Sequence, residues 1–281
     1  VMSLRQILNE TRREFESLSI PAVDCELLLA HVLGTSRMEL HAREFLLSVE
    51  QKTEFDHLVA ERKNGRPTQY LIGKAPFRYL EFDVGPGVLI PRPETEMLVD
   101  VALDEIGKLN RTTSIVDLGS GSGAIAISVA SEAAKRGNTV TVVAVEKDEQ
   151  ALEWLRRNIA LHEIDIRVVA SDVSQALIDV RADIVLANPP YISTGSLLPD
   201  LVVDHEPHIA LFGGDGDGLE IPRLFIAAAT RILKPGGLLA MEHAENQGEI
   251  LEAELSSDYR EVRIHKDLNE RNRMVTARKR S

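Results

Sequence analysis

An apolar run at residues 184–187 ends in Asn188-Pro189-Pro190-Tyr191. Proline fixes φ and restricts the residue before it, so two prolines predict a stiff loop whose carbonyl oxygens are free to face a ligand. Asn188 adds a side-chain carbonyl oxygen, and Tyr191 adds a flat aromatic face. Two acceptors and a ring suit a planar NH2 group. We therefore predict that the Asn188 side chain and the Pro189 carbonyl each accept one hydrogen of such a group.

A glycine-rich stretch, VDLGSGSGAIA, places Gly119, Gly121 and Gly123 between a predicted strand and a predicted helix. Glycines let the backbone turn sharply and let a ligand approach closely. The spacing alone also satisfies a relaxed dinucleotide fingerprint, so it does not separate NAD from S-adenosylmethionine. Asp117 at the strand end favours S-adenosylmethionine, because it could meet a cationic amino group or orient the loop. Nothing else in the chain resembles a hydride-transfer site.

Two further acids end the next predicted strands. Glu146 closes VVAVEKD and could accept both ribose hydroxyls of a nucleoside cofactor, and Asp172 closes VVASD and could receive the adenine amino group. Any one of these carboxylates could be a helix cap or a loop residue. Three acids at three successive strand ends favour a nucleoside cofactor.

The tetrad of residues 188–191 and this cofactor together suggest a methyl transfer to nitrogen. A lone pair delocalised into an amide or aromatic ring makes NH2 a poor nucleophile. Holding both hydrogens in acceptors favours pyramidalisation as the N–C bond forms, and a fixed attack geometry removes orientational entropy. The positive charge of a sulfonium already activates the leaving group, so we expect no metal. We find no general base, and the proton can leave to water.

The elements that must position these residues follow from hydrophobic periodicity. Up to about residue 68 the pattern predicts several short helices, and residues 69–92 suggest a β-hairpin or extended linker. Residues 93–281 alternate between strands and helices, with seven predicted strands. Such alternation predicts a mostly parallel, Rossmann-like sheet with helices on both faces. Ligands then bind beyond the carboxyl ends of the strands, after Leu118, Val145 and Ala187.

Composition narrows the class of protein. The 281 residues carry 32 Lys and Arg against 44 Asp and Glu, a net charge of -12, which disfavours a long nucleic-acid-binding surface. The single cysteine, Cys25, excludes an intramolecular disulfide and a cysteine metal site. No apolar run approaches the ~20 residues of a membrane span, and the N-terminus lacks the apolar core of a signal peptide. We expect a cytoplasmic monomer without membrane contact.

Several segments together resemble one enzyme family. NPPY downstream of DLGSGSG looks like class I methyltransferases that act on amide or aromatic amine nitrogens. PTQYLIG, VLIPRPETE, NPPYI, EPHIALFGGDGDGLEIPR and LKPGGLLAMEH resemble the protein-(glutamine-N5) methyltransferases of peptide chain release factors, the HemK/PrmC family. The likeness covers most of the chain and is weakest in the first ~65 residues. It implies a class I methyltransferase fold behind a small N-terminal helical domain.

The resemblance also implies roles for residues. S-adenosylmethionine, with S-adenosylhomocysteine as product, would contact Asp117, Gly119, Ser120, Gly121, Ser122, Gly123, Glu146, Asp172, Val173 and Asn188. The glutamine of a release factor's Gly-Gly-Gln tip would lie against the tetrad, with Asn188, Pro189 and Tyr191 catalytic and Pro190 binding substrate. Residues 1–68 would grip the body of the release factor. Relatives often carry an aromatic residue where this chain has Val173, so the adenine contact there differs.

Two other functions share parts of this pattern. An N6-adenine methyltransferase of nucleic acid would use the same tetrad, because adenine also presents a planar NH2, but it would need a basic docking face. A non-catalytic nucleotide-binding module would require the glycine loop but would not require Asn188. In the segment PRPETE, Arg92 or Glu94 could border the cleft, or the segment could simply begin a helix.

Overall fold

A computed structural model of the protein describes residues 3–43, 45–196 and 204–281. Among these residues the chain divides into two compact units. The smaller unit extends to Lys74 and includes Asp204 and His205, and the larger begins at Ala75. No helix among the described residues is both long and apolar enough to cross a membrane.

The smaller unit is helical, as predicted. Three of its helices, α1, α3 and α4, begin where serine side chains cap the first turn, at Ser3, Ser36 and Ser48, each in a reciprocal capping box. Phe15, fully buried, and the neighbouring apolar side chains form its core. The helices are α1 (Leu4–Ser17), α2 (Val23–Leu33), α3 (Arg37–Ala42), α4 (Val49–Lys63) and α5 (Thr68–Ile72).

The predicted hairpin is present but shorter than the segment assigned to it. Strands β1 (Lys74–Phe77) and β2 (Leu80–Asp83) pair in a two-stranded sheet. The apolar residues Val88 to Ile90 belong to no strand. A 3-10 turn at Pro93–Thr95 then leads into α6 (Glu96–Leu109), so the segment PRPETE does begin a helix.

The rest of the larger unit alternates strands and helices as the periodicity predicts. The elements are β3 (Thr113–Leu118), α7 (Ala124–Lys135), β4 (Val140–Glu146), α8 (Glu149–His162), β5 (Arg167–Ala170), β6 (Ala182–Ala187), β7 (Ile192–Ser193), α9 (His208–Leu211), β8 (Phe212–Gly214), α10 (Glu220–Ile232), β9 (Leu233–Glu242), α11 (Gly248–Leu255), β10 (Tyr259–Lys266) and β11 (Asn272–Lys279). The loop predicted after the tetrad contains the short pair β7 and β8, and its residues 197–203 lie outside the described residues.

Seven strands form one mostly parallel sheet in the order β5-β4-β3-β6-β9-β11-β10. The first five run parallel, and β11 is antiparallel to both β9 and β10. All six residues of β6 are buried, as expected for a strand covered on both faces. The strand order reverses between β3 and β6, so a ligand site is expected beyond their carboxyl ends.

Candidate active site

An open cavity with an empty volume of about 1230 Å³ lies at this switch point. Its wall contains the loops that follow β3, β4, β5 and β6. Of the residues predicted for the site, those on the wall are Gly119, Ser120, Gly121, Ser122, Glu146, Asp172, Val173, Asn188 and Pro190. Asp117, Gly123, Pro189 and Tyr191 are not among the wall residues.

The glycines of the loop after β3 serve different purposes. Gly121 has φ 54°, and a Cβ there would have no neighbour nearer than Val88 Cγ2 at 4.0 Å, so the backbone is bare where it borders the cavity. Gly123 has φ 84°, and a Cβ there would lie 2.6 Å from Leu155 Cδ1. Gly121 therefore leaves room for a ligand, whereas Gly123 allows close packing against α8.

Glu146 fixes the glycine loop from the next strand. One carboxylate oxygen, Oε2, accepts a hydrogen bond from the Gly121 amide at 2.9 Å. The other, Oε1, accepts from the amides of Lys147 and Asp148 at 2.8 and 2.9 Å. A carboxylate offers about four acceptor directions. Glu146 therefore keeps acceptor capacity for a hydroxyl group in the cavity while it shapes the loop.

Asp172 presents an ionised acceptor at the far end of the cavity. Its Oδ1 accepts from the hydroxyl and the amide of Ser174 at 2.7 and 2.9 Å, and its Oδ2 accepts from Lys147 Nζ at 3.1 Å. The Ser174 hydroxyl bond, followed by the amide bond, lowers the pKa of Asp172 to about 2. A charged acceptor suits an amino group. Beside it, Val173 is 8% exposed and supplies an aliphatic surface.

Asp117 is fully buried, and its contacts hold the glycine loop that follows β3. Its Oδ2 accepts from the Ala126 amide at 3.3 Å, and Ser120 Oγ donates to its backbone carbonyl at 3.0 Å. Its Oδ1 is buried and has no hydrogen-bond partner among the described residues. Burial raises the pKa of Asp117 to about 7. Of the two predicted roles, the described contacts match the orientation of the loop, and Oδ1 remains available to a cationic group.

Replacement of Asp117 with asparagine should change how stability depends on pH. The folded-state pKa lies above the unfolded value near 4, so the folded protein binds the proton more tightly and loses stability as pH rises towards 7. Between pH 5 and pH 8 we expect the free energy of unfolding to fall by about 3 kcal/mol because of this group. Asp117→Asn should not show this decrease.

Urea unfolding without cofactor at the two pH values measures this difference. Asp165→Asn, at an exposed loop carboxylate, is the control and should follow the unmodified protein. Parallel pH curves for Asp117→Asn and the unmodified protein would contradict a raised pKa at Asp117.

The side chains of the tetrad end in a buried hydrogen-bond chain. Asn188 Nδ2 donates to Thr95 Oγ1 at 3.1 Å, and Thr95 Oγ1 donates to Glu242 Oε2 at 2.7 Å. Tyr191 OH donates to Glu242 Oε1 at 2.9 Å. Glu242, at the end of β9, thus connects the first and last residues of the tetrad through two different oxygens.

Burial and neighbouring charges shift the pKa values of Glu242 and Tyr191. Burial raises the pKa of Glu242, and this rise is opposed by hydrogen bonds from Thr95 and Tyr191 and by the charge of Arg273. Burial, and then the charge of Glu242, raise the pKa of Tyr191 well above the usual range. The Tyr191 hydroxyl therefore stays neutral near neutral pH and serves as a hydrogen-bond donor.

The backbone of the tetrad packs closely against Gly213 of β8 and accepts a hydrogen bond from Gln247, which lies just before α11. A Cβ on Gly213 would lie 2.6 Å from the Pro190 carbonyl oxygen, so only glycine fits there. Gln247 Nε2 donates to the carbonyls of Tyr191 and Asp217, both at 2.8 Å. These contacts explain why the FGGDGDG stretch accompanies the tetrad.

Of the two residues considered in PRPETE, Arg92 lies on the cavity wall and Glu94 is not among the wall residues. Arg92 Nη2 donates to the buried Glu206 Oε1. The other oxygen, Glu206 Oε2, accepts from the Ile90 amide at 3.2 Å. Through these two bonds, Glu206 connects the segment before the 3-10 turn with the segment before α9, at the edge of the cavity.

The wall residues fit S-adenosylmethionine. The cavity combines bare backbone at Gly121, a carboxylate at Glu146 and an ionised acceptor at Asp172, and Asp117 Oδ1 lies unpartnered behind the loop. Within the described ranges, no group of three or more His, Cys, Asp or Glu side chains is arranged to hold a metal ion.

Comparison with known proteins finds relatives over nearly the whole chain. The model of the PrmC N-terminal domain matches residues 6–73, and that of the methyltransferase small domain matches residues 94–204. A release factor glutamine methyltransferase of Streptomyces coelicolor is 37% identical over 98% of this chain and 98% of its own. Those of Bifidobacterium longum and Mycolicibacterium smegmatis are 38% and 39% identical over 90% and 92% of this chain, and 91% of each relative.

The chain belongs to the release factor glutamine methyltransferase family. This confirms the resemblance carried by the tetrad and its flanking segments.

Solved structures share the class I methyltransferase fold of this family. The Thermus thermophilus 16S rRNA N2 G1207 methyltransferase, in complex with AdoMet and guanosine, aligns with a TM-score of 0.53 at 22% identity, over 74% of this chain and 50% of its own. A class I S-adenosylmethionine-dependent methyltransferase of Listeria monocytogenes, described as putative, aligns with a TM-score of 0.51 at 14% identity, over 99% and 87%.

Two residues of this family member escaped the sequence reasoning. Thr95 appeared only as part of a helix start, and Glu242 only as part of a closing strand. One signal was present for Glu242, because it ends the strand next to β6 and so belongs at the same edge of the sheet as Asn188. Thr95 gave no such signal, since it lies 93 residues from Asn188 and in no strand.

Proposed function

We propose that this protein transfers a methyl group from S-adenosylmethionine to the side-chain amide nitrogen, N5, of a glutamine in peptide chain release factors. The glutamine is that of the Gly-Gly-Gln motif of class I factors. The observation that carries the proposal is the placement of Asn188 and Pro190 on the wall of the cavity that Gly121 and Glu146 also border. Family membership, shown over nearly the whole chain, supports it.

S-adenosylmethionine supplies a methyl group on a positively charged sulfur, and S-adenosylhomocysteine is the product. The loop of Gly119 to Gly123 would receive the cofactor, with Glu146 accepting from the ribose hydroxyls and Asp172 from the adenine amino group. Val173 would contact the adenine through its aliphatic side chain. The transfer needs no metal, because the charge on sulfur already makes the leaving group a good one.

The tetrad would hold the glutamine carboxamide by both hydrogens. Asn188 Oδ1 would accept one hydrogen and the Pro189 carbonyl the other, which directs the nitrogen lone pair towards the methyl carbon. As the N–C bond forms, the nitrogen becomes pyramidal and its hydrogens more acidic, so both hydrogen bonds strengthen in the transition state. Fixing the line of attack can lower the barrier further, by about 7–11 kcal/mol for a well-oriented pair of reactants.

No side chain at the site needs to remove the proton. Tyr191 is neutral and donates to Glu242, and Glu242 already accepts from both Tyr191 and Thr95. The methylated amide nitrogen carries a positive charge for a moment and is strongly acidic. Its proton therefore passes to water after the transfer.

The helical N-terminal domain would bind the body of the release factor. We assign residues 1–68 to this domain, residues 69–92 to the hairpin linker and residues 93–281 to the methyltransferase domain. A protein substrate suits an acidic chain of net charge -12. We propose that the protein acts on release factors in the cytoplasm and as a monomer.

Methylation of adenine in nucleic acid is not favoured. Adenine fits the same acceptor pair, but the excess of acidic residues opposes a polyphosphate. The named relatives at 37–39% identity are release factor glutamine methyltransferases.

Labelled cofactor distinguishes these possibilities. The protein is incubated with labelled S-adenosylmethionine and either a class I release factor or the same factor with the Gly-Gly-Gln glutamine changed to alanine. We expect label in the first factor only. Equal labelling of both factors would contradict the proposed function, and labelling of DNA or RNA alone would support the adenine alternative.

A further inference from the structure

The hydroxyl group of Thr95 has a single proton, and the structure shows where that proton goes. Thr95 Oγ1 donates to Glu242 Oε2 at 2.7 Å, and Tyr191 donates to Glu242 Oε1 at 2.9 Å, so both oxygens of this carboxyl group act as acceptors. Towards Asn188, Thr95 can therefore offer only a lone pair. The group of Asn188 that faces Thr95 at 3.1 Å must then be its NH2 donor, Nδ2.

This leaves the carbonyl oxygen of Asn188 as the group that can face a substrate. An asparagine amide turned by 180° exchanges its donor and its acceptor with almost no change of shape. Turned the wrong way, Asn188 would present NH2 hydrogens to the NH2 hydrogens of the glutamine. The capture of an NH2 group thus depends on what fixes the orientation of the Asn188 amide.

We infer that Thr95 and Glu242 are positioning residues that hold the Asn188 amide with its oxygen towards the substrate nitrogen. The inference rests on the proposed function and deepens it. Neither residue touches the reacting atoms by this account, and both act through Asn188. Tyr191, which donates to the second oxygen of Glu242 at 2.9 Å, is held by the same carboxylate.

The hydrogen-bond chain from Asn188 through Thr95 to Glu242 is rigid. Thr95 and Glu242 are 4% and 2% exposed, so water cannot easily replace either partner. They come from the 3-10 turn before α6 and from the end of β9, while Asn188 follows β6. Three separate elements must meet for the chain of hydrogen bonds to form, which restricts each side chain to one arrangement. A buried hydrogen-bond network holds its side chains in a single arrangement only when every donor has an acceptor.

Thr95→Val tests the inference, because valine keeps the shape and removes the hydroxyl. We expect kcat on a release factor to fall by about 10–100-fold, since the Asn188 amide is no longer held in one orientation. The Kd for S-adenosylhomocysteine should stay within about 3-fold, because Thr95 borders the cavity but its hydroxyl is engaged by Glu242 and Asn188. Thr95→Ser restores the hydroxyl and should restore kcat to within about 3-fold of the unmodified enzyme.

Thr113→Val is the matched control, a buried threonine at the start of β3 whose hydroxyl bonds to the Arg111 carbonyl. It should leave kcat unchanged. If Thr95→Val does not fold, Thr95→Ala removes the same hydroxyl with a smaller side chain and carries the same expectation. Urea midpoints of all variants are measured alongside the kinetics.

Three results would overturn the inference. These are full kcat in the folded Thr95→Val or Thr95→Ala variant, failure of Thr95→Ser to recover kcat, and a loss of kcat matched by equal losses of cofactor affinity and stability. The proposed function is tested separately by the unmodified enzyme. If that enzyme leaves the release-factor glutamine unmethylated, the proposed function is wrong. If that enzyme is active and Thr95→Val is equally active, only the positioning role of Thr95 and Glu242 is wrong.

Discussion

Asn188→Ala should lower kcat on a release factor by about 10²–10³-fold, the usual effect of removing one preorganised group that stabilises the transition state. Asn188 Oδ1 is one of two proposed acceptors for the glutamine hydrogens, and the other, a backbone carbonyl, cannot be mutated away. Cofactor affinity should change by less than about 5-fold, because the loops after β3 and β4 remain intact. Single-turnover methylation and isothermal titration with S-adenosylhomocysteine measure the two quantities.

Asn269→Ala, at an exposed asparagine before β11, is the control for Asn188→Ala and should retain full activity. Undiminished turnover of Asn188→Ala would remove the basis for the acceptor pair. A non-catalytic nucleotide-binding module predicts that outcome.

Glu146→Gln should produce the opposite pattern. Glutamine keeps the shape of Glu146 but loses the charge and one acceptor, while three backbone amides and the ribose hydroxyls compete for the remaining oxygen. Hydrogen bonds to a charged group contribute about 1.5–3 kcal/mol each, so the Kd for S-adenosylmethionine should rise by about 10–100-fold. At saturating cofactor, kcat should stay within about 5-fold, since the tetrad is untouched.

The neighbouring Glu149→Gln, exposed in the first turn of α8, is the control and should bind the cofactor normally. A Glu146→Gln variant with normal affinity and low kcat would show that Glu146 acts on the reaction and not on the cofactor. Opposite effects of the Asn188 and Glu146 substitutions would separate substrate capture from cofactor binding.

The sheet could be predicted from the sequence because its signals are local. Apolar runs such as that of β6 alternate with amphipathic segments such as that of α7, and this alternation is sufficient for a parallel sheet. The rule that ligands bind beyond strand ends then located Glu146, Asp172 and Asn188 on one cavity wall.

The side-chain chemistry behind the tetrad could not be predicted, because it is non-local. Thr95 and Glu242 are 147 residues apart, and no periodicity joins them. The partner of the Tyr191 hydroxyl could not be predicted either. The sequence indicated only a flat aromatic face beside a planar NH2 group, and the structure shows that the Tyr191 hydroxyl donates to Glu242. The ring contact with a bound glutamine remains a prediction.

Tandem mass spectrometry of the release-factor peptide that contains Gly-Gly-Gln identifies the atom that receives the methyl group. After incubation with this protein and S-adenosylmethionine, we expect one added methyl group, located by fragmentation on the side-chain nitrogen of that glutamine. Asn188→Ala should leave the peptide almost unmodified in the same time. A methyl group on another residue of the peptide, or an unmodified peptide beside a methylated nucleic acid, would contradict the account.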